Sequence, residues 1–246
     1  MKEITPELVK YTNPGEDVLN SVYKNVVQKI VFKSGRVEVF AEAAAYKKVN
    51  VWREFEKVLL TQAEKDINGL IRIGDISTIE QGGSMFSNLA KIEDRAQRNL
   101  KIVAAMMGGN IIYIRHQDVQ GSRYGTPIYG TAIAVNKPME AFIAGIVYTN
   151  EPANADAFRK VIGDKKEFQA TESASFTGNA NDVRVYPSKR KFTVKEVKID
   201  NDLLIVDGAL EGASKYKSFK VASFDKEYFH VYYEDKGTAY NIKIKI

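Results

Sequence analysis

The sequence contains no cysteine, two histidines and one tryptophan among its 246 residues. Without cysteine the chain cannot form a disulfide bond, a thiolate zinc site or a cysteine nucleophile. No apolar run approaches the roughly eighteen residues that a membrane-spanning helix needs. The opening Met1-Lys2-Glu3-Ile4 leads into polar sequence instead of a signal peptide. These absences exclude several chemistries without identifying a compartment.

The sequence also lacks the motifs of the common enzyme classes. It has no Gly-x-Ser-x-Gly elbow, and neither Gly82-Gly83 nor Gly108-Gly109 has the spacing of a phosphate-binding loop. Glu93 and Asp94 are neighbours on a predicted helix, so their carboxylates point in different directions and do not form a general acid–base pair. We therefore predict a protein that is not an enzyme and that uses no cofactor.

The charge pattern gives little support to a nucleic-acid partner. Thirty-six basic and thirty-one acidic side chains give a net charge of +5, and the two signs are interspersed along the chain. The dense cluster Lys189-Arg190-Lys191 precedes a predicted strand, where basic residues discourage pairing between sheet edges. The alternative is nucleic-acid binding through this cluster and the tyrosines, with an affinity that falls steeply with salt. We expect no nucleic-acid partner.

The clearest element is a predicted amphipathic helix. Apolar residues recur every three or four positions from Leu89 to Met107, with Ser87 or Asn88 as the N-terminal cap. Gly108 or Gly109 can adopt the left-handed conformation that ends a helix. The pattern thus fixes both ends of this element.

Strand patterns surround the helix. Ile111 opens an apolar run, and a second run extends from Ile128 to Val135; their short connection predicts antiparallel neighbours. Lys29 to Phe40 predicts a hairpin with Gly35 in its turn. We further predict a short helical start and a strand within Trp52–Thr61, and a strand from Gly69 to Thr78.

The C-terminal part has the pattern of an all-β module. About five strands are predicted, arranged as a barrel or a sandwich, with a phase slip at Lys195-Glu196 that indicates a bulge. The chain therefore divides into a flexible arm (1–17), an α+β domain (18–150) and a small antiparallel β domain (158–246). The predicted fold class is α+β: an N-terminal antiparallel sheet with one main packed helix, followed by a small all-β C-terminal module. The strand segments are Phe192–Ile199, Leu203–Val206, Phe219–Ala222, Tyr228–Tyr233 and Tyr240–Ile246.

The two histidines define the candidate site residues. His116 and Asp118 share one face of a strand, so with Tyr113 and Arg115 they could bind a small ligand or a metal. Two such groups are too few for a tight metal site, and a surface histidine among polar neighbours is the commoner case.

The second histidine, His230, lies between Tyr228 and Tyr232 on one face of another strand. These three side chains could form an interaction surface. The alternatives are that they lie on the solvent-exposed face of a sheet, or that they form the contact between this sheet and a neighbouring domain.

Four segments resemble a group of uncharacterised proteins from Bacteroidetes. They are Arg95–Tyr113, with Ala104-Ala105-Met106-Met107-Gly108-Gly109-Asn110 inside it, and Ile30–Glu38, Gly69–Asp75 and Phe219–Ile244. The resemblance covers most of the chain. More distantly, a strand, a helix ending in Gly-x-Asn and a further strand pair are similar to the Rcs-sensor lipoprotein fold and the YbjQ-type heavy-metal-binding fold.

The resemblance implies an exported protein of the periplasm, outer membrane or cell surface, often lipid-anchored, with no known catalytic residues. Its implied partner is an unknown protein or envelope component, and an anchor outside this sequence would supply any membrane association. The chain lacks the sensor lipoprotein's cysteines, so disulfide-based sensing is not carried over, and it lacks a Cys or His cluster for metal. The leading hypothesis is a non-enzymatic envelope binding or structural module. The alternative is a metal- or small-ligand-binding protein that uses residues 113–118.

Overall fold

The structure is a computed structural model that describes residues 2–27, 29–39, 46–83, 87–120, 139–177 and 182–246. Two α-helices, three short 3-10 helices and sixteen strands lie in these ranges. The helices are α1 (Leu89–Met106) and α2 (Ala155–Ile162), and the 3-10 helices are Lys24–Val26, Trp52–Lys57 and Glu64–Ile67. The strands are β1 (Glu3–Ile4), β2 (Leu8–Tyr11), β3 (Asn20–Tyr23), β4 (Lys29–Val31), β5 (Val37–Val39), β6 (Leu59–Thr61), β7 (Ile71–Gln81), β8 (Ile111–Gln120), β9 (Glu140–Thr149), β10 (Glu167–Thr177), β11 (Arg184–Pro187), β12 (Lys191–Asp200), β13 (Leu203–Leu210), β14 (Ser218–Phe224), β15 (Tyr228–Asp235) and β16 (Thr238–Lys245).

The first 39 residues form two small sheets. β1, β2 and β3 pair in that order, so residues 1–17 contain two short strands. β4 and β5 pair as the predicted hairpin, and Gly35 in its turn has φ +81°, a conformation that favours glycine. The assignment of residues 1–17 to a flexible arm, like the division into domains, stays a prediction.

Helix α1 packs on one face of a four-stranded sheet in the order β6-β8-β9-β7. Of the two residues predicted as the cap, Ser87 and Asn88, the structure has Asn88, whose side chain accepts a hydrogen bond from the Lys91 backbone N–H. Gly108 follows the helix with φ +80°, as its position predicts. Ile92, Ala96 and Leu100 are each at most 1% exposed because they form the core between helix and sheet.

The pairing of this sheet differs from the sequence prediction in two ways. β8 pairs antiparallel with β9, a strand that was not predicted, while the predicted partner Ile128–Val135 lies outside the described residues. β6 pairs with β8 in parallel, because helix α1 and β7 lie between them in the chain and supply the crossover. The remaining pairs are antiparallel.

The C-terminal sheet closes on itself. β10, β12, β13, β14, β15 and β16 pair in a ring of antiparallel neighbours, and β11 adds to one edge of β10. The register shifts between Val194 and Glu196, which confirms the predicted bulge. Helix α2 contributes to the core of this closed sheet, in which five phenylalanines are at most 4% exposed. They are Phe158, Phe168, Phe192, Phe219 and Phe229.

The closed sheet packs on the side of α1 that faces away from the four-stranded sheet. Ile102 and Met106 of the helix are fully buried against Ala174, Phe176 and Ala239. The α+β class with a C-terminal all-β module is therefore confirmed, and the helix lies between the two main sheets.

Candidate functional site

The predicted ligand residues Tyr113, Arg115, His116 and Asp118 lie on the central strand β8. His116 pairs with Ala144 and Asp118 with Phe142, and the register shifts between Ile114 and His116. Arg115 is the extra residue of this bulge. A bulge re-aims the side chains around it, and here it leaves both Arg115 and His116 exposed.

Arg115 and His116 line a cleft of about 670 Å³, called here the Arg115 cleft. Its walls come from β7, α1, β8 and β9 on one side and from the closed sheet on the other. Apolar groups at Val103, Phe142 and Phe176 contribute to the lining, together with the carboxylate of Glu234. The cleft is thus a junction of the two packed units, with both apolar and charged walls.

Among the described residues, the charge in the Arg115 cleft is only partly neutralised. Asp75 is ion-paired with Arg72 at 2.5 Å. The Arg115 side chain forms no hydrogen bond or ion pair with the described part of the chain. The His116 ring lies 5.7 Å from the Phe142 ring and is tilted against it by 51°, so the two rings lie side by side in the lining.

The other two predicted ligand residues are not brought to this cleft. Neither Tyr113 nor Asp118 belongs to its lining, so the four residues do not converge on one point. Within the described ranges no group of three or more His, Asp or Glu side chains could hold a metal ion.

The predicted surface of Tyr228, His230 and Tyr232 lies on the outer face of the closed sheet. His230 is only 6% exposed, and burial lowers its pKa to about 4, with the nearby Lys243 charge acting in the same direction. Its Nδ1 lies 3.0 Å from the Ser223 hydroxyl, which itself donates to the Asn50 carbonyl. Because that hydroxyl has one proton, Nδ1–H of His230 is the donor between the two side chains.

Tyr232 and Tyr228 extend the same face. Tyr232 packs against the core of helix α1 and the four-stranded sheet, and burial raises the pKa of its phenol. Tyr228 is partly buried, and the Lys243 amine lies 3.8 Å from its ring centre. His230 is therefore covered by the chain itself, whereas Tyr228 and Tyr232 both remain partly exposed on this face.

The basic cluster at residues 189–191 is partly engaged within the chain. Arg190 donates to the Ser173 hydroxyl at 3.0 Å, and Lys191 is ion-paired with Glu167 at 2.6 Å. The Glu167 carboxylate balances the charge of Lys191, whereas the Ser173 hydroxyl orients Arg190 without neutralising it.

A second cavity, of about 370 Å³ and called here the Lys220 cavity, was not predicted from the sequence. It lies where the end of α1, the start of α2 and the closed sheet meet, and its lining includes Asn110, Asp202 and Lys220. Burial lowers the pKa of the Lys220 amine to about 7. Nothing in the local sequence identifies this lysine, since its environment is made by residues distant in the chain.

No family model, curated protein or solved structure matches this chain. None of the helices in the described ranges has both the length and the apolar character that crossing a bilayer requires.

Proposed function

We propose that this chain is a non-enzymatic binding protein of the cell envelope, and that the Arg115 cleft holds a small organic anion with an apolar body. The observation that supports this most directly is an exposed guanidinium without an acidic partner among the described residues, at the wall of a cleft of about 670 Å³. Cavities of about 300–1,000 Å³ are the usual size for small-molecule sites.

The lining favours an amphipathic ligand over a bare ion. Arg115 would pair with a carboxylate through two parallel hydrogen bonds, the geometry for which a guanidinium is suited. The rings of His116 and Phe142 and the side chain of Val103 offer apolar contact to the rest of the molecule. Glu234 on the opposite wall would disfavour a second negative charge.

Calorimetric titration with aromatic carboxylates such as benzoate, phenylacetate and indole-3-acetate tests the proposal. Replacing Arg115 by Gln removes the charge, and we expect at least a tenfold weaker affinity, because each charge-assisted hydrogen bond contributes about 1.5–3 kcal/mol. The matched control is Lys160→Gln, which removes an exposed positive charge on α2 away from the cleft.

Two outcomes would contradict this proposal. The first is equal binding by the wild-type protein and Arg115→Gln, or no binding of any of these acids. The second is turnover in a broad substrate panel that one polar substitution abolishes, since that would make the protein an enzyme. The envelope location rests on the resemblance, and cell fractionation of the native protein tests it separately.

A further inference from the structure

We propose that the Lys220 cavity is a second ligand site, and that it binds a small zwitterion such as a free α-amino acid. This site does not depend on the function of the Arg115 cleft, because the two cavities share no lining residue. Two charged side chains of the lining, Lys220 and Asp202, form no ion pair among the described residues and support it, together with the apolar part of the cavity wall.

The first of these side chains is Lys220, on the outer face of β14. Its amine lies 5.0 Å from the centre of the Tyr232 ring, and no carboxylate within the described ranges pairs with it. Burial from water disfavours a charged ammonium group that has no counter-ion. The pKa of the Lys220 amine therefore falls to about 7. A ligand carboxylate would supply the missing negative charge.

Asn110, which directly follows the glycines at the end of α1, belongs to the wall of the same cavity. It is 2% exposed, and its amide nitrogen donates to the Lys47 carbonyl at 3.3 Å and to the Asn150 side chain at 2.7 Å. Its Oδ1 accepts no hydrogen bond from the described part of the chain and has no accessible surface, so Asn110 shapes the wall without offering this acceptor to a ligand.

The acidic side chains of the lining complete the pattern. Glu151 is already ion-paired with Lys48 at 3.2 Å, so it is balanced within the chain. Asp202 lies in the turn between β12 and β13 and forms no ion pair with the described residues. The lining of the cavity thus contains one cation and one anion that are not balanced by described residues. A molecule with a carboxylate and a nearby ammonium group matches this set.

Apolar residues also contribute to the cavity, including Ile73, Met107 and Leu204. They would contact an aliphatic side chain of the ligand, because the burial of apolar surface favours such a complex. L-leucine is therefore a suitable probe, because it combines the zwitterionic head with an aliphatic body.

The experiment compares L-leucine with two derivatives in calorimetric titrations of the full chain at pH 7. N-acetyl-L-leucine lacks the ammonium group and L-leucinamide lacks the carboxylate. We expect leucine to bind at least tenfold more tightly than either derivative. Lys220→Met keeps the aliphatic stem but removes the amine, and it should lower the affinity for leucine at least tenfold.

Matched variants distinguish binding in the Lys220 cavity from binding elsewhere on the protein. Lys217→Met removes an exposed amine near the start of the same strand and outside the cavity lining, so leucine should bind it as it binds the wild-type protein. Arg115→Gln should also leave leucine binding unchanged, which keeps failure here distinct from failure of the proposed function. Circular dichroism of each variant verifies the fold.

The inference is overturned if leucine does not bind at millimolar concentration, if leucinamide binds as well as leucine, or if Lys220→Met retains wild-type affinity. A Lys220→Met protein that failed to fold would leave a second measurement: the rate at which acetic anhydride modifies Lys220 in the wild-type protein at pH 7. Leucine should slow that modification at least threefold while the rate at Lys217 stays constant. Equal rates with and without leucine would contradict the site.

Discussion

His230 and Lys220 are both basic side chains on the outer face of the closed sheet, and both are withdrawn from water. The pKa of each falls because burial disfavours the charged form, to about 4 for the imidazole and about 7 for the amine. The two differ in their partners. The imidazole is held by the Ser223 hydroxyl, whereas the amine faces a cavity and an aromatic ring.

We predict that His230 makes the stability of the protein sensitive to acid. Its folded pKa of about 4 lies below the ordinary value of 6.5, so the unfolded chain binds the proton first as the pH falls. The full contribution is therefore present above pH 6.5 and is lost between pH 6.5 and pH 4. Between pH 6.5 and pH 4, the free energy of unfolding of the wild-type protein should fall by roughly 2 kcal/mol more than that of His230→Asn. Urea unfolding at both pH values measures this difference.

Identical slopes of unfolding free energy against pH for His230→Asn and the wild type would show that the imidazole is not buried in solution.

At the scale of elements, the end of α1 is fixed by Gly108, a position where two separate structural constraints both favour glycine. Gly108 has φ +80°, and a methyl group on its Cα would overlap the backbone of Ala222 in the closed sheet. Gly212 has a similar φ of +76°, but a methyl group there would meet only the Arg190 side chain, at 3.8 Å. The two positions therefore differ in packing and not in backbone strain.

We predict that Gly108→Ala is more destabilising than Gly212→Ala. The left-handed conformation costs a non-glycine residue about 1–2 kcal/mol at either position. At Gly108 the overlap with Ala222 adds about 1–3 kcal/mol, since packed backbone cannot move away without loss of contacts. Thermal unfolding of both variants measures the difference, and equal losses would contradict the close approach of the two segments.

Some elements could be predicted from the sequence because their determinants are local. The helix pattern from Leu89, the asparagine cap and the terminal glycine all act within a few residues, and the structure has them as predicted. The bulge after Val194 was also visible, because it changes the phase of a period-two pattern.

Other features depend on contacts between distant residues and could not be predicted in this way. The ring of the closed sheet is completed where β10 pairs with β16, with Ala170 opposite Ile244. Glu234 and Arg115 likewise line the same cleft only because separate segments of the chain pack together. The burial of the Lys220 amine has the same origin. The sequence singled out Arg115 and His116 but could not indicate which neighbours they would meet.

On the scale of the whole molecule, a bidentate ion pair joins the two packed units. Arg53, in the 3-10 helix Trp52–Lys57, donates two hydrogen bonds of 2.9 Å to the carboxylate of Glu172 on β10. The hydrogen bonds from Arg53 hold the pKa of Glu172 below its ordinary value of 4.5. The pair therefore gives its full contribution to the stability of the folded protein above pH 4.5. That contribution is lost as the pH falls through the lower pKa of Glu172 in the folded state.

We predict a coupling of about 0.5–1 kcal/mol between Arg53 and Glu172 at pH 7, the upper end for a partly exposed pair with good geometry. A double-mutant cycle with Arg53→Ala and Glu172→Ala measures it by urea unfolding. The comparison pair is Lys191–Glu167, whose side chains are 55% and 61% exposed and for which we expect about 0.3 kcal/mol or less. A coupling at Arg53–Glu172 no larger than in the comparison pair would contradict the prediction.

Helix α1 packs on both of its flanks, through Leu100 on one and Met106 on the other. Each half of the polypeptide has apolar surface that only the other half covers. A fragment ending at Asn150 would present Ile102 and Met106 to water, and a fragment beginning there would present Phe176. We infer that either half, when separated from the other, would expose this apolar surface and self-associate.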